Sequence, residues 1–252
     1  MSPITGAETV ASLRARLEQT ERQAAARQRQ LERYASDLRE VFKQERARAQ
    51  ELRRSYIATV RALSNAVEAR DAYTGKHAER VAAYGIELAG AAGLDVADSP
   101  QIEFGFLLHD VGKVGVPDAI LFKPAELSED EFECIAGHAE IGSKILRHVD
   151  FLEEATLIVR HHHERWDGSG YPDGLKGEQI PLAARVFAIA DTLDALTTDR
   201  PYRKAVGFAA ARKEIHRGSG TQFDPAVIAA YDTIGDDTFA RLSEGVRSSG
   251  GR

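Results

Sequence analysis

Residues able to do chemistry cluster along FGFLLHDVGKVGVPD, residues 104–118. An apolar run ends there in adjacent His109 and Asp110, and Lys113 follows within one turn. An imidazole, a carboxylate and an ammonium at the end of an apolar helix form a costly arrangement, because buried charges must be paired or must bind metal. An N/O ligand pair of this kind suits a hard or borderline cation. The same residues also fit an ordinary helix C-terminus, with Asp110 capping and Lys113 meeting the last carbonyls.

The rest of the chain offers more of the same chemistry. His77 stands beside Asp71 and Arg80, His138 follows, then the pair His162 and His163, and then Asp191 inside the apolar run FAIADTLDAL. A lone helical histidine is more often hydrogen-bonded or on the surface than a ligand. Asp191, however, would be buried unpaired between Ala190 and Thr192. Together these residues supply enough ligands for two metal ions, and Asp110 could bridge them, since a carboxylate has two oxygens. Two such cations would hold a bridging hydroxide and stabilise both oxygens of an in-line displacement at phosphorus. Lys113 would then meet the developing phosphate charge. His148, His161 and His216 read as structural or surface residues.

A second informative stretch is WDGSGYPDGLKG, residues 166–177. Four glycines and a proline in twelve residues make a shaped loop rather than regular structure. It follows the histidine pair directly, so Tyr171 would overhang the metals, where it could stack on a base. An ordinary rigid surface loop fits the composition as well.

Helices must carry these groups, since no alternating strand pattern is present. Residues 1–9 read as a loose leader. From Val10 to about Val60 there is no glycine or proline, and a three-four stripe runs through Leu13, Leu17, Leu31, Tyr34, Leu38 and Val41. The stripe then slips in phase through Phe42, Leu52, Tyr56 and Val60, as at a stutter. A narrow seam of this kind cannot be buried by one helix alone, which favours a dimeric coiled-coil stalk over residues 10–60. Thr20, Arg27, Glu45 and Arg48 interrupt the seam, and a solvated helix lying along its own domain is the alternative. Residues 61–240 read as an all-α domain, and 241–252 as a disordered tail. Helix starts are marked by Ser99-Pro100, by Ser128 with Glu131, by Asp150 with Glu153, by Pro181 and by Asp224-Pro225. Gly137 and Gly142 would let another helix or a ligand approach His138.

Composition narrows the function classes. A formal charge of -6 over 252 residues lacks the basic footprint of a protein that binds nucleic-acid polymers. The lone Cys134 permits neither an intrachain disulfide nor a thiolate metal site. Neither a signal peptide nor an apolar run of membrane-spanning length is present, which predicts a cytoplasmic protein.

Taken together, LHDVGKVGVPD, HHERWDGSGYP, RDAYTGKHAERV, FAIADTLDALTTDRPYR and the FDP at 223–225 resemble the HD-GYP family of metal-dependent cyclic di-GMP phosphodiesterases. The resemblance covers about residues 55–232. It implies an HD-type helical bundle that cleaves cyclic di-GMP to linear pGpG, with GMP as a further product. It also implies two divalent metal ions per chain, with Fe or Mn favoured and Ni or Zn acceptable. The implied ligands are His77, His109, Asp110, His138, His162, His163 and Asp191. Lys113 resembles the lysine at the scissile phosphate. Gly170, Tyr171, Pro172, Asp194, Arg200 and Arg203 stand where the family contacts substrate. Position 203 is often lysine in the family, and arginine keeps the charge but changes the geometry. Some members carry a glutamate ligand where this chain has Tyr73, a poor ligand near neutral pH, so two metals are expected, with His77 held least firmly. A homodimer formed through the N-terminal helix and signalling partners in trans complete the expectation. The rival readings are a cyclic di-GMP receptor of low turnover, a phosphohydrolase acting on another nucleotide, and a purely structural coiled-coil adaptor.

Overall fold

The computed structural model describes residues 10–70, 76–97, 99–200 and 203–248. The expected leader, Asp71, Tyr73 and the last four residues lie outside them. Among the described residues the regular structure is helical, and β-type pairing is limited to two isolated bridges, Arg200 with Arg203 and Ser219 with Phe223.

Helix α1 runs from Val10 to Glu68, and the chain divides into one unit of residues 1–56 and another of residues 57–252. Within the first unit the seam is open to solvent. Leu31 is 67% and Phe42 71% exposed, as they would be if the stripe had no partner. The last turns of α1 belong to the second unit, where Val60 is buried and Ser64 Oγ donates to the Leu107 carbonyl at 2.7 Å.

In the second unit, α2 (His77–Ala91), α3 (Pro100–Leu108), α6 (His138–Leu146), α7 (Glu153–His161) and α8 (Leu182–Thr197) surround the core. Helix α3 is largely apolar and its residues from Phe104 to Leu108 are buried, with Gln101 and Glu103 on the partly exposed side. Its Gly105 lies where a side chain would meet Ile158 Cδ1 at 2.6 Å, so α3 and α7 approach closely. Gly85 of α2 does the same under Phe106. Two short helices, α4 (Asp118–Leu121) and α5 (Glu129–Ala136), precede α6. Helices α9 (Phe208–Arg217), α10 (Pro225–Asp232) and α11 (Asp236–Ser248) close the far side.

Two local expectations change. The Ser128–Glu131 capping box forms, but Asp150 only opens a short 3₁₀ turn and does not cap α7. The start of α7 is served from elsewhere, by Gln101 Oε1 accepting from the Glu154 amide at 2.7 Å. Residues 241–248 are the end of α11 rather than a disordered tail. Their helix buries Phe239 and Ser243, and the Val246 carbonyl accepts from Lys76 Nζ at 2.5 Å.

Candidate metal centre and substrate cleft

The candidate ligands sit at helix ends. His77 opens α2, His109 follows α3, His138 opens α6, and His162 and His163 follow α7. At a helix end a ring can turn back onto the preceding turn, and three of them do. Nδ1 of His109 donates to Phe106 O at 2.9 Å, that of His138 to Ile135 O at 2.6 Å, and that of His162 to Val159 O at 2.7 Å. A carbonyl can only accept, so Nδ1 carries the proton and Nε2 presents a lone pair inward. Rings are oriented in this way for metal ligation.

The inward atoms form two triads, His77 with His109 and Asp110, and His138 with His162 and His163; within each, the donor atoms lie within 4.8 Å of one another. Asp110 joins the triads, with Oδ2 3.2 Å from His109 Nε2 and Oδ1 3.4 Å from His138 Nε2. Asp191 is set apart from both, yet its Oδ1 is 3.4 Å from His77 Nε2. The reason Asp110 and His138 meet is Gly112: a Cβ there would collide with the His138 carbonyl and lie 2.5 Å from the Gly142 amide nitrogen. Only bare backbone lets the turn after Asp110 rest on the start of α6.

Electrostatics fit a cation. Burial pushes the imidazoles of His138, His162 and His163 below their ordinary values, with His163 brought down to about 3 by burial and by its neighbour His138. These rings are neutral, which is the ligating form. Burial works to raise the Asp110 carboxyl, but His109 and Lys113 outweigh it and hold the group well below its usual range. Two lone pairs facing each other, His138 Nε2 and His162 Nε2 at 3.2 Å, need a positive charge between or beside them. The donor set therefore suits two divalent ions.

Behind the first triad, Asp194 is 1% exposed and its oxygens are taken. One receives Arg80 Nε at 2.6 Å, and the other lies 2.8 Å from His77 Nδ1. This carboxylate orients His77 from behind, and Asp194 also stands among the residues lining the cleft where a substrate contact is expected. It also anchors His77 on its outer side, at Nδ1.

The glycine-rich loop after α7 turns back over the site. The Tyr171 ring stacks on His163 at 4.7 Å between centroids and 30° between planes. Burial pushes its hydroxyl up to about 12, so it keeps its proton. Glu164, which sequence reasoning passed over, receives the amides of Asp173 at 2.8 Å and Leu175 at 3.1 Å. Asp173 is gripped by Arg160 at 2.6 and 2.7 Å and by His161 Nε2 at 2.9 Å. His161 is accordingly structural, as expected. Gly170 has a packing role, since a Cβ would lie 2.5 Å from Glu164 Cα where the loop crosses its own start. Pro172 is exposed and is not among the residues lining the cleft.

Between the triads and solvent lies a cavity of about 850 Å³. Lys113, Tyr171, Asp191 and Arg200 line it, together with a wall from Leu121 to Ala125 that sequence reasoning did not single out. Lys113 Nζ is 2.7 Å from Asp110 Oδ2. Arg203 does not line the cavity; its guanidinium donates to the Ala195 carbonyl at the end of α8.

A helical bundle that brings a triad of three imidazoles against one of two imidazoles and a carboxylate is suited to metal-dependent phosphohydrolysis. The HD domain family matches residues 61–227. The cyclic di-GMP phosphodiesterase response regulator RpfG of Xanthomonas campestris pv. campestris is 41% identical over 174 residues, covering 68% of this chain and 46% of that one. The 3'3'-cGAMP-specific phosphodiesterase 2 of Vibrio cholerae is 41% identical over 180 residues, covering 71% of this chain and 34% of that one. Among solved structures, a cyclic GMP-AMP phosphodiesterase of V. cholerae (V-cGAP3) superposes with a TM-score of 0.53 at 20% identity, over 73% of this chain and 53% of that one. This chain belongs to the HD-domain family, and its GYP loop puts it in the HD-GYP branch. It spans less than half the length of the two relatives named. Among the described residues no helix is long and apolar enough to cross a membrane.

Proposed function

We propose that this chain hydrolyses cyclic di-GMP to linear pGpG, with GMP as the product of a second cleavage. The observation that carries the reading is Asp110, whose Oδ2 faces His109 of its own triad while its Oδ1 reaches His138 of the other. His77, His109, Asp110, His138, His162, His163 and Asp191 would hold two divalent ions, with Fe or Mn favoured and Ni or Zn acceptable to N/O donors. Ions bound there would lower the pKa of a shared water and offset charge on both oxygens of an in-line displacement. The chain's own groups do the rest. Lys113 supplies a positive charge beside Asp110, where a phosphate would meet it. Arg200 offers a second cation at the cleft wall. Tyr171 shields His163 from water on one side and keeps a hydroxyl proton to donate. Glu164, Arg160 and Asp173 keep that loop in position.

A second base identity is favoured by one observation, the 41% identity to an enzyme named for 3'3'-cGAMP. A panel of cyclic dinucleotides given to anaerobically prepared protein, with products resolved by chromatography, tests both: pGpG from cyclic di-GMP supports the proposal, and cleavage of cGAMP alone transfers it to the mixed dinucleotide. We further infer that the exposed stripe of α1 pairs with a second copy to give a homodimer, through which signalling partners act, and that the protein works in the cytoplasm on its soluble substrate.

A further inference from the structure

We propose that Phe122 is the second purine-stacking platform of the cleft and determines its affinity for dinucleotides; this rests on the cyclic dinucleotide reading above. Most of the groups around the triads are charged or imidazole. Phe122 instead brings a large apolar ring to the cavity wall and leaves 45% of its surface exposed. A cyclic dinucleotide has two phosphates and two bases. Lys113 and Arg200 answer the phosphates, and the Tyr171 ring, covered on one face by His163, offers at most its other face to a base. A further aromatic surface is needed for the second purine, and stacking serves it because every base has a flat π-face.

The segment bearing Phe122 is anchored rather than loose. The Phe122 amide donates to the Asp118 carbonyl at 3.0 Å, and Arg70 holds Asp118 at 2.5 Å while also donating to the Lys113 carbonyl at 3.2 Å. On the far side, Lys123 is paired with Glu131 at 2.5 Å. An aromatic ring left open on a fixed wall is pre-organised for a flat partner. The arrangement also ties the platform to Lys113, since Arg70 binds both stretches.

The test compares wild type, Phe122→Ala and Phe122→Trp, all metal-loaded. It reads KM and kcat for cyclic di-GMP, the Kd of a phosphorothioate analogue that resists cleavage, and kcat/KM for bis(4-nitrophenyl) phosphate, a diester without purines. Phe122→Ala should raise KM and Kd by roughly 5- to 150-fold, the range for a lost base–aromatic stack. The preference for cyclic di-GMP over the simple diester should fall by a similar factor, and Phe122→Trp should restore it. Unchanged KM and Kd in Phe122→Ala would overturn the inference, as would a parallel loss on both substrates, which marks a structural role. A wild type that cleaves the simple diester but no cyclic dinucleotide instead removes the reading on which the inference stands.

Discussion

His138 Nε2 and His162 Nε2 face each other at 3.2 Å, although each ring carries its proton on the opposite nitrogen, donated to a backbone carbonyl. Neutral rings cannot satisfy that contact with a hydrogen bond. A cation can, and Asp110 extends the same demand to the other triad. Asp110→Ala is therefore expected to lose bound metal and turnover together. Metal analysis of the purified variant checks this, and full metal content with near-normal activity would remove the bridging role.

Lys113 touches the bridging carboxylate but is not itself a donor to a metal. Lys113→Ala should keep its metals and lose rate by about 10²- to 10³-fold, the range for removing one donor from developing oxyanion charge. Parallel metal analysis and single-turnover kinetics separate the two effects. A variant stripped of metal would show that the ammonium holds the centre together instead.

Gly112 sets the distance between Asp110 and His138. Gly112→Ala must push the turn off α6, at a cost of about 1–3 kcal/mol or more for an overfilled site. Thermal unfolding should fall and metal retention with it. A variant as stable and as metal-rich as wild type would show that the turn has room the geometry denies.

His77 should make metal affinity pH-dependent. Burial opposes its charge, but the hydrogen bond to Asp194 and the nearby Asp191 and Asp110 outweigh that and raise its pKa above the ordinary value. In the metal-free protein the ring thus keeps its proton to higher pH than a free histidine, and binding must displace it. Affinity should keep rising with pH beyond the range in which an ordinary imidazole has lost its proton, as the His77 proton leaves. His138, His162 and His163, shifted down, should contribute no such release. Asp194→Asn should weaken the dependence, as titration calorimetry in two buffers of different ionisation heat would reveal; an identical proton release in this variant would exclude the Asp194–His77 pair as its source.

The α1 stripe gives a test of assembly. Leu31 and Leu38 are more than half exposed. Leu31→Glu with Leu38→Glu should convert a dimer to a monomer by placing charge in the seam. Light scattering that finds the wild type monomeric would rule out the pairing.

What the sequence disclosed followed from range. His109, Asp110 and Lys113 lie within five residues and Ser128 caps a helix through its own third neighbour, so local spacing was sufficient. The Arg80–Asp194 pair joins positions 114 apart, and nothing near Asp194 says that its oxygens are already taken. Asp150 has the residues of a cap, but Gln101 reaches α7 from another helix first. Residues 241–248 look loose because most of them are exposed, while the helix that they end is held by contacts of α11 to α2 and α9. The wall at Phe122 carries no motif of its own; only the cavity makes it visible.

The central claim is that one site holds two divalent ions and cleaves a cyclic dinucleotide. Its most direct test is anaerobic purification followed by metal quantification and product identification on one sample. The account predicts two metals per chain and conversion of cyclic di-GMP to pGpG, both abolished by a chelator and restored by Fe or Mn. Protein that carries its two metals and binds cyclic di-GMP, yet leaves it intact over many hours, would contradict the account and describe a receptor instead.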